Sequence, residues 1–508
     1  MNSKISKATF DDSCENMSMH DKGGFFMSEE IVFKSAADLW RGINIGEITS
    51  VQTVSKVLKQ INLYNKSINA IVTLDESGAL NKAAEADEAN GTINLPPLQG
   101  IPITIKDIFK TAGMRSTASH PAFKDYIPDE DATVVRRLKE AGAIVLGKTN
   151  MPEMAMDCQT VSPLFGRTNN PWNLDFTPGG SCGGGAAAVA SGMSFLDIGN
   201  DLLGSLRIPA HFCGIYSFTS TEKFVPSTGL LTEKTASEAL NRMMRTGILA
   251  RSVEDCKTAL KIISGPDNEE CDVLSVNNII HPTKPVGKLR VLWTTNSGGL
   301  AVSKDTREIM KNITEKLASL GHKVDALQSE RFDFKAAREV FLQLFYSVIS
   351  IIMPAPALFL MKIFGKGTYL NTNLKKYFEA EQNRIALINS LDSLFYEYDV
   401  LLCPVTATPA FPHMKPDRYM GMQPIYKKGV DVDGKMINYS EANMGFTVPF
   451  SVTGNPVVVF PAGLSQDGLP IGIQAVGRRY YDLNLLDMAA VLSEVAGPIR
   501  HPCMDKYK

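Results

Sequence analysis

Short apolar segments alternate with longer helical segments along this chain, and that alternation limits the fold more than any other feature. Residues 70–74 (AIVTL), 101–105 (IPITI) and 143–146 (AIVL) have the length and composition of buried strands. The segment 132–141, just before the last of them, has the apolar spacing of a helix. Strands that alternate with helices indicate an α/β protein. We therefore predict a central twisted mixed β-sheet covered by helices on both faces.

The same pattern continues to the C-terminal end. Ser35 and Ser50 each precede a helical spacing of apolar residues, so we expect them to cap the first two helices. Further strands are predicted over 289–293, 400–403 and 457–460, and amphipathic helices over 308–320 and 483–495. These elements predict a single large domain over 30–497, preceded by a flexible extension (1–29), followed by a tail (498–508), and carrying a variable insertion at 300–400.

Charge and cysteine usage exclude several classes of function. Lys and Arg total 52 and Asp and Glu total 54, so the chain has no basic excess with which to neutralise a nucleic acid. The eight cysteines are scattered without the close pairs that bind zinc, which favours reduced thiols and no metal. The first 29 residues lack the apolar core of a secretory signal. We expect a cytoplasmic protein without nucleic-acid partners.

An uncharged stretch at 340–361 (VFLQLFYSVISIIMPAPALFLM) is 22 residues long, enough to span a bilayer on length alone. Pro354 and Pro356 argue against a straight span, because proline interrupts the helical hydrogen bonds. The stretch therefore favours a pair of apolar helices with a break between them. Two roles stay open for that pair, a buried core or pocket wall and a peripheral contact with a membrane or lipid.

Two short motifs suggest other chemistries but lack the required context. Residues 142–149 (GAIVLGKT) fit the phosphate-binding loop pattern, yet the four middle residues are themselves the predicted strand. Residues 179–183 (GGSCG) fit the nucleophile elbow of α/β-hydrolases, which follows directly on an apolar strand. The preceding segment 173–178 (NLDFTP) is polar and ends in proline, so neither motif is assigned that function.

Three segments fit a third chemistry: 100–109 (GIPITIKDIF), 177–185 (TPGGSCGGG) and 198–214 (IGNDLLGSLRIPAHFCG). Together they resemble the amidase signature family of serine hydrolases, which includes bacterial amidases and fatty acid amide hydrolases. Long blocks at 131–153, 399–409 and 446–479 extend the resemblance over residues 30–497. It implies one amidase-signature domain that hydrolyses amides without a metal or cofactor.

The resemblance also implies the catalytic residues. Ser205 matches the nucleophile, Ser181 the serine that follows a cis peptide bond, and Lys106 the base. At the end of a buried strand, Lys106 would act as a neutral amine because burial disfavours the ammonium. The proton would pass from Ser205 through Ser181 to Lys106, and later return to the leaving amine. The backbone N–H groups of four residues would form the oxyanion hole (Leu202, Leu203, Gly204 and Ser205), and four residues would support the site (Gly180, Cys182, Asp201 and Arg207).

Three positions depart from the family's usual residues. Cys182 replaces a serine, Asn200 a threonine and Leu203 a glycine. A side chain at 203 would narrow the acyl pocket or strain a backbone that glycine tolerates. A thiol at 182 is a weaker hydrogen-bond donor than a hydroxyl, and would lower activity without removing the triad.

The sequence thus predicts an amidase for a small-molecule amide with a hydrophobic acyl or amine group. Two alternatives stay open. One is the glutaminase subunit of a tRNA-dependent amidotransferase, and the other is a catalytically weakened homologue that acts as a binding protein. The sequence also leaves open whether the protein forms a homodimer.

Overall fold

The computed structural model describes residues 29–89, 95–231, 242–275, 286–352 and 373–507. The strands in these residues are β1 Ile71–Leu74, β2 Pro102–Lys106, β3 Ile144–Thr149, β4 Val161–Ser162, β5 Gly166–Arg167, β6 Leu196–Asp201, β7 Tyr216–Thr219, β8 Arg245–Ala250, β9 Arg290–Trp293, β10 Lys323–Ala326, β11 Val400–Pro404, β12 Arg418–Met420, β13 Gln423–Ile425, β14 Val430–Val432, β15 Lys435–Ile437, β16 Val457–Leu464 and β17 Pro470–Val476. The α-helices are α1 Ala36–Asn44, α2 Ser50–Ile68, α3 Glu76–Glu88, α4 Thr133–Glu140, α5 Gly183–Ala190, α6 Arg207–Cys213, α7 Val253–Ile263, α8 Lys304–Ser319, α9 Phe334–Ile352, α10 Leu374–Leu394, α11 Tyr439–Met444, α12 Val448–Thr453 and α13 Asp482–Ala496.

Eleven strands form one mixed sheet in the order β1-β3-β2-β6-β8-β7-β16-β17-β11-β9-β10. Strand β2 runs parallel to β3 and β6, and β9 runs parallel to β10 and β11. The other neighbouring pairs are antiparallel. The sheet confirms the predicted α/β class and its mixed strand directions.

Both faces of the sheet are buried. In β16, Val458 and Phe460 belong to one apolar cluster, whereas Val457 and Val459 belong to two others on the opposite face. Successive residues of a strand point to opposite faces, so a strand buried on both sides is apolar throughout. This is why the strands were visible in the sequence as short continuous apolar runs.

The first two helices begin close to the predicted residues. Ser35 accepts a hydrogen bond from the N–H of Asp38 and caps α1 as predicted. The prediction that Ser50 caps α2 is wrong, because Ser50 is the first residue of that helix. Thr49 is the cap: its hydroxyl accepts from the Gln52 N–H, and the Gln52 side chain accepts from the Thr49 N–H.

The uncharged stretch at 340–361 begins inside α9. Four of its side chains in that helix are buried in an apolar cluster with α10 and α12 (Val340, Phe341, Leu344 and Val348). This packing supports the buried role for the part of the stretch that the structure describes. The predicted break at Pro354 and Pro356, and nearly all of the extension at 1–29, lie outside the described residues. None of the described helices is long and apolar enough to cross a membrane.

Candidate active site

Lys106 is the last residue of β2, and the pleat of that strand sets its direction. Ile103 and Ile105 lie in the large apolar core, so Thr104 and Lys106 point to the other face, on which α5 packs. The Lys106 side chain is fully buried. Its Nζ donates to Ser181 Oγ at 2.6 Å, so the two side chains that the resemblance pairs are in direct contact.

Ser181 lies in the glycine-rich loop just before α5, and the peptide bond between Gly180 and Ser181 is cis. A Cβ on Gly180 would lie 2.7 Å from the carbonyl oxygen of Asp157, so only glycine fits there. Gly179 has φ +83°, a conformation that other residues rarely adopt. Helix α5 begins at Gly183, earlier than the small-residue run at 186–191 indicated.

Ser205 lies beyond the end of β6, in the turn before α6, and is partly exposed. Its carbonyl oxygen accepts a hydrogen bond from the Cys182 N–H at 3.1 Å, which joins the turn to the Ser181 loop. Among the described residues, no hydrogen bond links Ser205 Oγ to Ser181. The structure therefore brings Lys106 and Ser181 into contact and places Ser205 beside them at the accessible end.

Asp201 and Arg207 hold the turn that carries Ser205. The Asp201 carboxylate accepts from the N–H groups of Gly204 at 2.7 Å and Leu206 at 3.0 Å, and from the Arg207 guanidinium at 2.8 and 3.0 Å. Burial alone would raise the pKa of Asp201, but the charge and hydrogen bonds of Arg207 hold it well below its usual range. Arg207 also donates to Thr447 O at 2.7 Å, which fastens the turn to the residue just before α12.

The hydrogen bond from Gly204 to Asp201 narrows the predicted oxyanion hole. Of the four N–H groups expected to form it, that of Gly204 is already engaged. Those of Leu202, Leu203 and Ser205 donate to no other described residue. These three N–H groups are thus the available donors in the turn.

Asn200 contacts the base directly, which the sequence did not indicate. Its Oδ1 accepts from Lys106 Nζ at 2.8 Å, and its Nδ2 lies 3.1 Å from the sulfur of Met244. A signal was present in the sequence: β2 and β6 pair in parallel, so residues near their carboxyl ends lie at the same edge of the sheet. Asn200 and Ser181 together hold the Lys106 amine in place.

The other two unusual residues have different consequences. The Cys182 thiol is fully buried, and this burial raises its pKa to about 11, so it stays protonated at neutral pH. It donates to Asn200 O at 3.4 Å. Leu203 does not have a positive φ, so the expected backbone strain is absent. Its carbonyl oxygen accepts from Thr447 Oγ1 at 2.5 Å, and its side chain is half-buried.

The motif at 142–149 is confirmed as a strand, since six of its eight residues form β3. Its Lys148 is fully buried and donates to Phe109 O and, at 3.0 Å each, to Thr111 and Ser116. Burial lowers the pKa of Lys148 to about 8, against the opposing charge of Asp107. Lys148 therefore holds the loop after β2 and does not face a phosphate. Within the described residues, no cluster of His, Cys, Asp and Glu side chains is arranged to hold a metal ion.

Comparisons with known proteins agree with this geometry. The family model described as Amidase matches residues 52–486. A glutamyl-tRNA(Gln) amidotransferase subunit of Prochlorococcus marinus (strain NATL2A) is 29% identical over 501 residues, covering 90% of this chain and 96% of the relative. A 6-aminohexanoate cyclic dimer hydrolase has a TM-score of 0.78 at 26% identity, covering 93% of this chain and 99% of the other. A fatty acid amide hydrolase shares the fold, with a TM-score of 0.74 at 20% identity over 92% of this chain and 86% of the other.

The fold and these matches define an α/β enzyme of the class that hydrolyses carbon–nitrogen bonds other than peptide bonds. The family model covers most of the chain. The chain belongs to the amidase signature family.

Proposed function

We propose that this protein hydrolyses a carboxylic amide with a hydrophobic acyl or amine group, through an acyl-enzyme on Ser205. The observation that carries the proposal is the buried contact between Lys106 Nζ and Ser181 Oγ at 2.6 Å, beside the turn of Ser205. Lys106 is the base, Ser181 the relay and Ser205 the nucleophile. The test is equimolar release of acid and amine from a panel of aryl amides of increasing acyl length.

The chemistry follows from the poor reactivity of amides. Ser205 Oγ attacks the carbonyl carbon while its proton passes to Ser181, directly or through one water, and from Ser181 to Lys106. The N–H groups of Leu202, Leu203 and Ser205 stabilise the oxyanion. The proton returns by the same path to the leaving nitrogen, the C–N bond breaks, and water then releases the acid from the acyl-enzyme.

The turn around Ser205 supports a hydrophobic substrate. The side chains of Leu202 and Leu203 are partly buried and pack against an apolar cluster that includes α9 and Phe446. Apolar groups of a substrate gain free energy when they are buried against such side chains. Lining of this kind favours an alkyl or aryl group over a charged one beside the scissile bond.

Leu203→Ala is expected to widen the space beside Ser205. Because one apolar group in a hydrophobic pocket is worth about 1–3 kcal/mol, kcat/KM for branched or aromatic acyl groups should rise about tenfold relative to acetyl. Rates on matched acyl anilides measure this ratio. Leu320→Ala, at an exposed residue at the end of α8, is the control. An unchanged ratio in Leu203→Ala would mean that this side chain does not limit the acyl group.

Chelation is expected to leave the rate unchanged, because every proposed step uses side chains and backbone donors alone. The measurement is the initial rate of amide hydrolysis before and after dialysis against a chelator. Loss of activity that zinc restores would contradict the proposed mechanism.

A second candidate is the glutaminase component of an amidotransferase, which the curated relatives favour by their names. It would release ammonia from glutamine and require partner subunits. The apolar side chains at 202 and 203 argue against a glutamine pocket. Turnover of glutamine but of no hydrophobic amide, by the protein alone or with such partners, would favour this candidate.

The weakened homologue that only binds its ligand is the third candidate. Cys182 and Leu203 motivated it, but the Lys106–Ser181 contact and the hydrogen-bonded turn are intact in their presence. Covalent labelling of Ser205 by a fluorophosphonate separates an enzyme from a binding protein, because only an activated serine is acylated or phosphonylated.

A further inference from the structure

Asp197 is a fully buried carboxylate in the middle of the sheet, beneath the catalytic loop. It pairs with Thr104 of β2, so its side chain lies on the same face of the sheet as Lys106. Its Oδ2 accepts from the hydroxyls of Thr104 at 2.8 Å and Thr149 at 2.9 Å. Its Oδ1 has no hydrogen-bond partner among the described residues, and points at Gly185 of α5, where a Cβ would lie 2.1 Å away.

The charged and titratable groups that interact with this carboxylate come from three elements. Lys106 is on β2, Lys148 is on β3, and the neutral thiol of Cys182 precedes α5. Burial raises the pKa of Asp197 to about 7, and its hydroxyl partners and the two lysine charges only partly offset that rise. A carboxylate with one unpaired oxygen is costly in a protein interior, so a fold that keeps it beside Lys106 calls for an explanation.

We propose that Asp197 is a positioning residue for the proton on Lys106: its carboxylate stabilises the ammonium and limits the neutral amine available to Ser181. The inference depends on the proposed role of Lys106 as base. A negative charge near an amine favours the charged form of that amine, and the effect is strong where water is excluded. Asp197 therefore delays the rise of activity with pH.

The test compares pH–rate profiles of the full-length protein and Asp197→Asn. Asparagine keeps an oxygen that accepts from Thr104 and Thr149 but removes the charge. Without the anion Lys106 gives up its proton more readily, so the acid limb of kcat/KM should move to lower pH by about one unit. This corresponds to an increase of about tenfold at a fixed pH on that limb.

Asp255→Asn is the matched control. Asp255 is also a buried carboxylate whose pKa is raised by burial, to about 6, but its partners are the backbone N–H groups of Ala36 and Ala37 at the start of α1. This variant should keep the wild-type profile. A profile of Asp197→Asn that superimposes on wild type, or an equal movement in Asp255→Asn, would overturn the inference.

Thr149→Val keeps the proposal testable if Asp197→Asn does not fold. It removes one of the two hydrogen bonds to Oδ2, so the carboxyl takes up a proton more readily and the limb moves in the same direction by a smaller amount. An unmoved limb would overturn the inference here too. Lys106→Ala separates the two proposals: if it keeps full amidase activity, the proposed role of Lys106 is wrong. If it is inactive while the Asp197 profile is unmoved, only the role of Asp197 is wrong.

Discussion

Ser205→Ala is expected to reduce kcat/KM on a hydrophobic amide by about 10⁴-fold or more, since no other side chain in the turn can form the acyl-enzyme. The partly exposed Ser205 is the hydroxyl at the accessible end of the site, whereas Ser181 is fully buried on Lys106. The measurement is single-turnover release of the amine. Residual turnover comparable to wild type would remove Ser205 from its proposed role.

A serine elsewhere provides the control for that variant. Ser393 is exposed on α10, and its hydroxyl bonds only to the carbonyl oxygen of Ser390 within the same helix. Ser393→Ala should retain wild-type turnover and thermal stability. The melting temperature of Ser205→Ala should also match wild type, because Asp201 holds the turn through backbone N–H groups and Arg207.

Lys106→Ala is the second variant with a large expected effect, and the ratio between two substrates is its signature. An amine must be protonated to leave, whereas an alkoxide departs with less help. We expect amide hydrolysis to fall by about 10³-fold, and hydrolysis of an ester with the same acyl group to fall by about tenfold less. Initial rates on such an amide and ester pair measure the ratio.

Lys148→Met is the matched control for the loss of a buried lysine. Lys148 is equally buried but holds the loop after β2 through Phe109, Thr111 and Ser116. Its replacement should lower stability and leave the ratio of amide to ester rates unchanged. Equal losses on both substrates in Lys106→Ala would mean that Lys106 only supports the fold or orients Ser181.

Much of the fold was predictable because buried strands carry continuous apolar runs. The runs at 101–105 and 457–460 correspond to β2 and β16, with ends displaced by one to four residues. Strands with polar residues were missed, such as Leu196–Asp201 (LDIGND) and Lys323–Ala326 (KVDA). In β6 the polar side chains belong to the site, so local composition does not indicate a buried strand.

The site was predictable only as far as motifs extend. Lys106, Ser181 and Ser205 were found by their surroundings in sequence, and the structure brings the first two together. The contacts of Asn200 and Asp197 were not predicted, because they depend on which strand lies beside β2 and which face each side chain takes. The engagement of Gly204 by Asp201 depends on turn geometry, which spacing alone does not give.

The most direct test of the central claim is to locate the adduct of a fluorophosphonate probe by peptide mass spectrometry. The proposed mechanism predicts one adduct on Ser205, at neutral pH, that is absent from Ser205→Ala. Cys182 should remain unlabelled because its buried thiol stays protonated. An adduct on Ser181 or Cys182, or persistent labelling of Ser205→Ala, would contradict the assignment of Ser205 as the nucleophile.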